Sequence, residues 1–452
     1  PAVRSDALDE ALAMLNDFGS VVAYQIPLRR RTRPPAPKIQ TENFPQLHKR
    51  SGAVYSVPYT TIDSEAWAIP INIGATNTSI LVDLDTGSSD LYVSGPLCPG
   101  CTPGPSFVES PSYTDYPCPS AHCNAPCYVL NSQPVCNFTT CYGLGGASGV
   151  IGTDTFGIPG IPKRANVTFG NLYDAQGLSC RTQSNLIIGD WGGIMGAAFG
   201  NLSSIPLVTK TSLDLLIEAN NLTNVFSLCT LTENAYMSIG SDYSCNTEFV
   251  YVPIIQDAFY AIEIFDMGTD GASFGLTNDQ LNMAGYYVPT IVDSGTTELI
   301  LNNEISTAFV DSLLNLCSQG VNLVGFCGIP IDNATNILNG FSCYNLTTQD
   351  LDAYPSLYIT IDQGYTITLQ GSDYLVPYVC PFPGYTSFLA VFQNISTILG
   401  DTFMQKQHVV FDKANNRLGF GPVSTCNFAA ATCSCKLSLP ACLLLTYTNF
   451  NC

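Results

Sequence analysis

The sequence predicts a chain of two similar halves, each centred on an apolar strand that ends in a sharp, acid-bearing turn. Two runs carry this reading: Leu81-Val82-Asp83-Leu84-Asp85-Thr86-Gly87-Ser88-Ser89 and Thr290-Ile291-Val292-Asp293-Ser294-Gly295-Thr296-Thr297, with Asp85 and Asp293 208 residues apart. In each run the Gly permits a tight turn, which thrusts the preceding carboxylate out of the strand end among hydroxyl and N–H donors. A second echo supports duplication. Ile194-Met195-Gly196 follows Gly87 by 109 residues, and Ile398-Leu399-Gly400 follows Gly295 by 105.

From about Trp67 to about Val423 these motifs resemble the pepsin-like aspartic peptidases, in which each lobe supplies one Asp-Thr/Ser-Gly loop and an apolar-apolar-Gly strand crosses behind it. The resemblance implies a mainly β fold, with two pseudo-symmetric β lobes, a few short helices and a cleft between them. It implies four parts: a prosegment at 1–50, an N-terminal lobe at 51–243, a C-terminal lobe at 244–423 and a Cys-rich tail at 424–452. A length of 452 residues suits two lobes of about 180 residues with separate cores.

Residues 1–50 hold a short amphipathic stretch (Leu8, Leu12, Leu15), then Val21 to Arg31, then a Pro-rich linker ending at Lys49-Arg50. The apolar-Pro-Leu-basic run is similar to pepsin-family prosegments, and the dibasic pair is the expected processing site. The first residue is Pro1, not Met, and no charged-then-apolar leader precedes the first polar stretch, so any signal peptide is expected to be already removed. Ala68-Ile69-Pro70-Ile71-Asn72-Ile73-Gly74 alternates as a half-buried strand does and feeds the first loop. Ile305, Phe309, Val310, Leu313 and Leu314 recur at helical spacing, so Glu304 to Leu316 is expected to be a helix with that stripe as core. Val82, Leu84, Ile291 and Val292 are expected to be buried strand residues that fix the loops.

Cys98, Cys101, Cys118, Cys123, Cys127, Cys136 and Cys141 form an insertion at 98–141 that resembles the nepenthesin-type branch, apart from the departures Cys127 and Cys141. An oxidising route favours disulfides over zinc at Cys98-x-x-Cys101, and no nearby His completes a ligand set, so no metal is expected. The resemblance pairs Cys343 with Cys380. Cys229 with Cys245 and Cys317 with Cys327 are short-range expectations, and the seven insertion cysteines join Cys180 to make eight. Cys426, Cys433, Cys435, Cys442 and Cys452 then remain, an odd set that leaves the tail a thiol for an intermolecular disulfide on an otherwise monomeric protein.

Nineteen cysteines and eight Asn-x-Ser/Thr sequons (Asn77, Asn137, Asn166, Asn201, Asn221, Asn333, Asn345, Asn394) point to a secreted or vacuolar-type eukaryotic protein. No apolar run reaches the roughly 18 residues of a membrane span. The net charge of −20 divides into +3 over residues 1–50 and −23 over the rest, and so acidic a body repels nucleic acid at neutral pH.

If Asp85 and Asp293 face each other at roughly 3 Å, their repulsion at an effective dielectric near 20 is about 5 kcal/mol, some four pK units, so the pair shares one proton. The ionised member then activates a water while the protonated member donates to a peptide carbonyl, without a covalent intermediate or a cofactor. The resemblance assigns Ser88 and Thr296 to the outer carboxylate oxygens, and Thr86 and Ser294 to a cross-lobe clamp. It reads Tyr142-Gly143-Leu144-Gly145-Gly146 as a flap closing over peptide or protein substrates, with Tyr92 where pepsin has a Trp that hydrogen-bonds the flap Tyr. With only His48, His122 and His408, and no His-Glu-x-x-His, Gly-x-Ser-x-Gly or phosphate loop, other hydrolytic chemistries lack their parts. The rival is a catalytically inert binding or inhibitor protein on the same fold, against which Asp85, Asp293 and Tyr142 are all intact.

Overall fold

The computed structural model describes residues 55–58, 60–62, 66–75, 79–98, 107–120, 123, 127–142, 145–174, 192–205, 208–230, 235–240, 248–256, 258–283, 289–331, 333, 336–339, 343–379, 386–389, 392–394 and 396–426. All belong to one compact unit, 47–452. The fold is mainly β, in several sheets with short helices. Residues 1–50, with Lys49 and Arg50, residues 427–452, Gly143, Leu144 and Cys380 lie outside the described residues, as do the side chains of Tyr142 and Cys343.

The two predicted loops sit in matching sheets. In the first half Ala66–Ile73 pairs antiparallel with Ile80–Asp85, which pairs parallel with Gly193–Gly196, itself antiparallel to Leu91–Ser94, which is parallel to Ala165–Asp174. In the second half Ala261–Ile262, Thr290–Val292, Ile398–Leu399, Leu299–Asn302 and Phe392–Asn394 repeat that order and those directions. A parallel pair needs a long crossover, so each apolar-apolar-Gly strand comes from about a hundred residues beyond its loop. A six-stranded sheet joins the halves, because Val225–Cys229 pairs with Gln407–Asp412 and Tyr236–Ile239 extends the sheet to Tyr55–Pro58.

Several expectations are corrected. From Trp67 to Ile71 the strand Ala66–Ile73 is buried on both faces rather than half-buried: Trp67, Ile69, Ile71 and Ile73 enter the main core, while Ala68 enters a second core with Tyr92, Phe138, Ile151 and Leu172. The covering layer on that second face is the hairpin of Asn137–Tyr142 and Gly145–Gly157. The helix spans Asn303–Ser318, with Asn302 accepting from the N–H of Ile305 at 2.9 Å as its cap. Ile305, Phe309 and Leu313 pack inward, but Leu314, 46% exposed, has turned past the edge of that stripe.

Cys229 bonds Cys426, not Cys245, because the strand carrying Cys229 runs beside Gln407–Asp412, whose continuation brings Cys426 back over it. Cys317–Cys327 forms as expected. Cys118–Cys127 and Cys123–Cys136 form two disulfides within residues 118–136. With Cys426 used by the body, the odd cysteine is no longer assigned to the tail.

Candidate active site

Asp85 ends its strand beside Gly196, and the N–H of Ala197 holds the Asp85 carbonyl at 2.7 Å. In the other half the N–H of Asp293 donates to Leu399 O at 3.1 Å. The crossing strand therefore fixes each loop from behind, which explains why a short apolar-Gly run accompanies each acid in the sequence.

The carboxylates are held in mirror fashion. Gly87 N–H donates to Asp85 Oδ1 at 2.7 Å and the Ser88 hydroxyl donates to Oδ2; Gly295 N–H donates to Asp293 Oδ1 at 2.8 Å and the Thr296 hydroxyl to Oδ2 at 2.7 Å. The space a side chain would fill at Gly87 is occupied by the Asp293 carboxyl, and that at Gly295 by the Asp85 carboxyl, so each glycine admits the opposite acid. The two carboxyl groups are within hydrogen-bonding reach of each other. At 6% and 8% exposed they are largely removed from water.

Thr86 and Ser294 tie the loops together. Ser294 N–H donates to Thr86 Oγ1 at 2.9 Å and Thr86 N–H to Ser294 Oγ at 3.2 Å. Each hydroxyl then donates to the other half's strand, Thr86 to Val292 O at 3.1 Å and Ser294 to Leu84 O at 2.5 Å. Ser in place of a second Thr keeps both bonds, since only the hydroxyl takes part.

Burial is the main force pushing the Asp85 carboxyl well above the usual carboxylate range; the Asp293 charge adds to it and the Ser88 hydrogen bond opposes it. Three further acids surround the pair. Burial, then the Asp293 charge, push Asp83 up to about 8. Asp401 is driven well above its ordinary value by burial first and then by the charges of Asp83, Asp293, Glu298 and Asp85. Glu298 is raised by burial. Sequence reasoning missed all three; the available signal for Asp83 was an acid inside an otherwise apolar strand.

Tyr92 is buried against Phe138, their ring centroids 6.4 Å apart. Tyr142 and Gly145 pair across the hairpin backbone. A bond from Tyr92 to the Tyr142 phenol falls outside the described side chains. The grouping Cys229, His408 and Cys426 offers metal-type ligands, but its two sulfurs are joined in a disulfide. No helix among the described residues is long and apolar enough to cross a membrane.

The eukaryotic aspartyl protease family profile matches residues 66–423, covering both loops and both crossing strands. The chain belongs to that family. This aspartyl protease is 28% identical to gastricsin of Callithrix jacchus over 398 residues, spanning 84% of this chain and 88% of the relative. It is 28% identical to gastricsin of Homo sapiens over 364 residues (77% and 79% of the two chains) and 24% identical to pepsin A of Gallus gallus over 387 residues (81% and 87%). As a member of a pepsin-like family it is an aspartic-type endopeptidase, a hydrolase whose substrates are peptides or proteins.

Proposed function

We propose that this aspartyl protease is a secreted endopeptidase, made as a zymogen, that hydrolyses peptide bonds at acid pH with Asp85 and Asp293 as the general acid/base pair. The observation that carries the reading is the mirrored cradle: two carboxyls in contact, each with its inner oxygen on a Gly N–H and its outer oxygen on a hydroxyl. Such a pair cannot ionise twice at low cost, so one member keeps a proton for the substrate carbonyl while the other takes a proton from the attacking water. Tyr142, Gly143, Leu144 and Gly145 are assigned to the flap that closes over the substrate, and residues 1–50, released at Lys49-Arg50, to the segment that covers the cleft before activation. Lobes at 51–243 and 244–423 and a tail at 424–452 complete the proposed organisation. The two staples inside the insertion support its placement in a nepenthesin-like branch.

Digestion of a diverse peptide library between pH 3 and 6, with cuts read by mass spectrometry, tests the reading. Wild-type protein is expected to cleave and to be blocked by a statine-type mimic, because the mimic's hydroxyl takes the place of the attacking water. Asp85→Asn and Asp293→Asn are each expected to lose about 10²- to 10⁴-fold in turnover, as when an acid/base partner is removed from a working pair. Unimpaired cleavage by either variant would remove the dyad from the mechanism. Binding of the mimic without cleavage by the wild type would favour the inert binding protein.

A further inference from the structure

We propose that Asp83 is a specificity residue, accepting the ammonium or guanidinium of a Lys or Arg that flanks the bond being cut. The inference rests on the endopeptidase reading above and adds the class of substrate: peptides with a basic residue beside the scissile bond.

Its foundation is placement. Along Ile80–Asp85 the side chains alternate, and Ile80, Val82 and Leu84 enter the main core. Leu81, Asp83 and Asp85 therefore share the opposite face. Asp83 lies about 6.5 Å along the strand from Asp85, two residues at the usual rise. On that face Asp83 stands between Ala68 and Ile194, and Ile194 stands opposite Tyr92. Ala68, Ile194 and Tyr92 belong to the cluster that also holds Phe138 and Ala147 from the proposed flap strands. Ala68, Tyr92, Phe138 and Ala147 are buried beneath this face, and the half-buried Leu81 and Ile194 beside Asp83 supply the apolar surface on which the carbon stem of a Lys or Arg would lie.

The second observation is an unmet valence. Asp83 is 8% exposed, and its Oδ1 is buried with no hydrogen-bond partner among the described residues. Among the described residues the ion pairs Lys210–Glu218, Lys406–Asp373, Lys413–Asp214 and Arg417–Asp412 each form elsewhere, and none involves Asp83. The charged groups acting on this region are Asp85, Asp293, Asp401 and Glu298, all acidic. A valine at this place would avoid the desolvation of an unpaired acceptor, which costs about 1–3 kcal/mol. A cation arriving with the substrate offsets it.

With Asp83 raised to about 8, the protein without substrate holds it protonated at acid pH, and a bound ammonium must expel that proton. Linkage then requires the preference for Lys over Leu to strengthen with pH, by up to tenfold per unit below that value.

The test uses the acid-activated protein and two peptide mimics that carry a hydroxymethylene in place of the scissile amide. They differ only in an aminobutyl or an isobutyl side chain beside it. Binding is read by calorimetry at pH 4, 5 and 6 in two buffers of different ionisation enthalpy, and matched cleavable peptides give kcat/KM. For wild type the Lys-to-Leu affinity ratio is expected to rise with pH and the aminobutyl mimic to release a proton on binding. In both Asp83→Asn and Asp83→Leu the ratio is expected to fall at least tenfold and lose its pH dependence. If both mimics bind and the ratio is the same in wild type and variants, the endopeptidase reading stands and Asp83 is only a buried acid. If neither mimic binds the wild type, the endopeptidase reading fails and this inference with it. Should one variant fail to fold, the other variant and the wild-type proton release still decide.

Discussion

Replacing Asp83 by Asn is predicted to stabilise the fold at neutral pH and to do almost nothing in acid. The sign follows from a raised carboxyl. Below about pH 4 the folded and unfolded chains both hold the Asp83 proton, so its burial carries no ionisation cost. As pH climbs past 3.8 the unfolded chain releases the proton while the folded chain keeps it up to about 8, and folding loses stability throughout that window. At 1.36 kcal/mol per unit, the loss is a few tenths of a kcal/mol at pH 3.5 and about 4 kcal/mol at pH 7. Asn keeps the size of the protonated acid without the ionisable proton, so the variant recovers that difference. Urea unfolding of wild type and Asp83→Asn at pH 3.5 and 7.0, followed by Trp fluorescence, measures it. An equal stability change at the two pH values would refute the reasoning, whatever its size, because a packing effect has no pH dependence.

His408 is expected to act in the opposite sense. It is buried between Thr425 and Ser227, and burial lowers it to about 3, so its stabilising neutral form is fully favoured above pH 6.5 and progressively penalised as pH falls toward 3. His408→Gln should therefore gain about 3 kcal/mol at pH 4 relative to its effect at pH 7, measured by the same unfolding experiment. Removing the Cys229–Cys426 bond by a double Ala substitution is predicted to cost up to about 5 kcal/mol from the 197-residue loop it closes, seen as a lower urea midpoint at either pH. Glycan mapping should find carbohydrate on the exposed Asn166, Asn201, Asn221, Asn333 and Asn345 and none on Asn137, whose Oδ1 is buried in the hairpin.

The two acid-bearing loops were legible because each carries a local signature, an apolar strand, an acid, a hydroxyl residue and a Gly, repeated with a matching apolar-Gly run. The duplication also announced the two matching sheets. Asp83 sat in plain view in one of those runs, yet strand alternation alone does not say which face a second layer covers, and its role depends on a hairpin more than fifty residues away. The partner of Cys229 was hidden for the same reason. Short spacing favoured Cys245, whereas strand order, a long-range property, delivers Cys426. Leu314 was misplaced by one step of a helix whose apolar stripe is narrower than its run of leucines.

The hydrogen bonds between Thr86 and Ser294 have a consequence for the newly made chain. A polypeptide synthesised only as far as its first half has Asp85 without its counterpart, and the Thr86 hydroxyl lacks the Val292 carbonyl that orients it. The proposed pair is not assembled until the strand at Thr290–Val292 has been made and docked. On the proposed mechanism an unfinished chain therefore cannot cut anything, because the order of its sequence withholds the second acid until about two thirds of the chain is made.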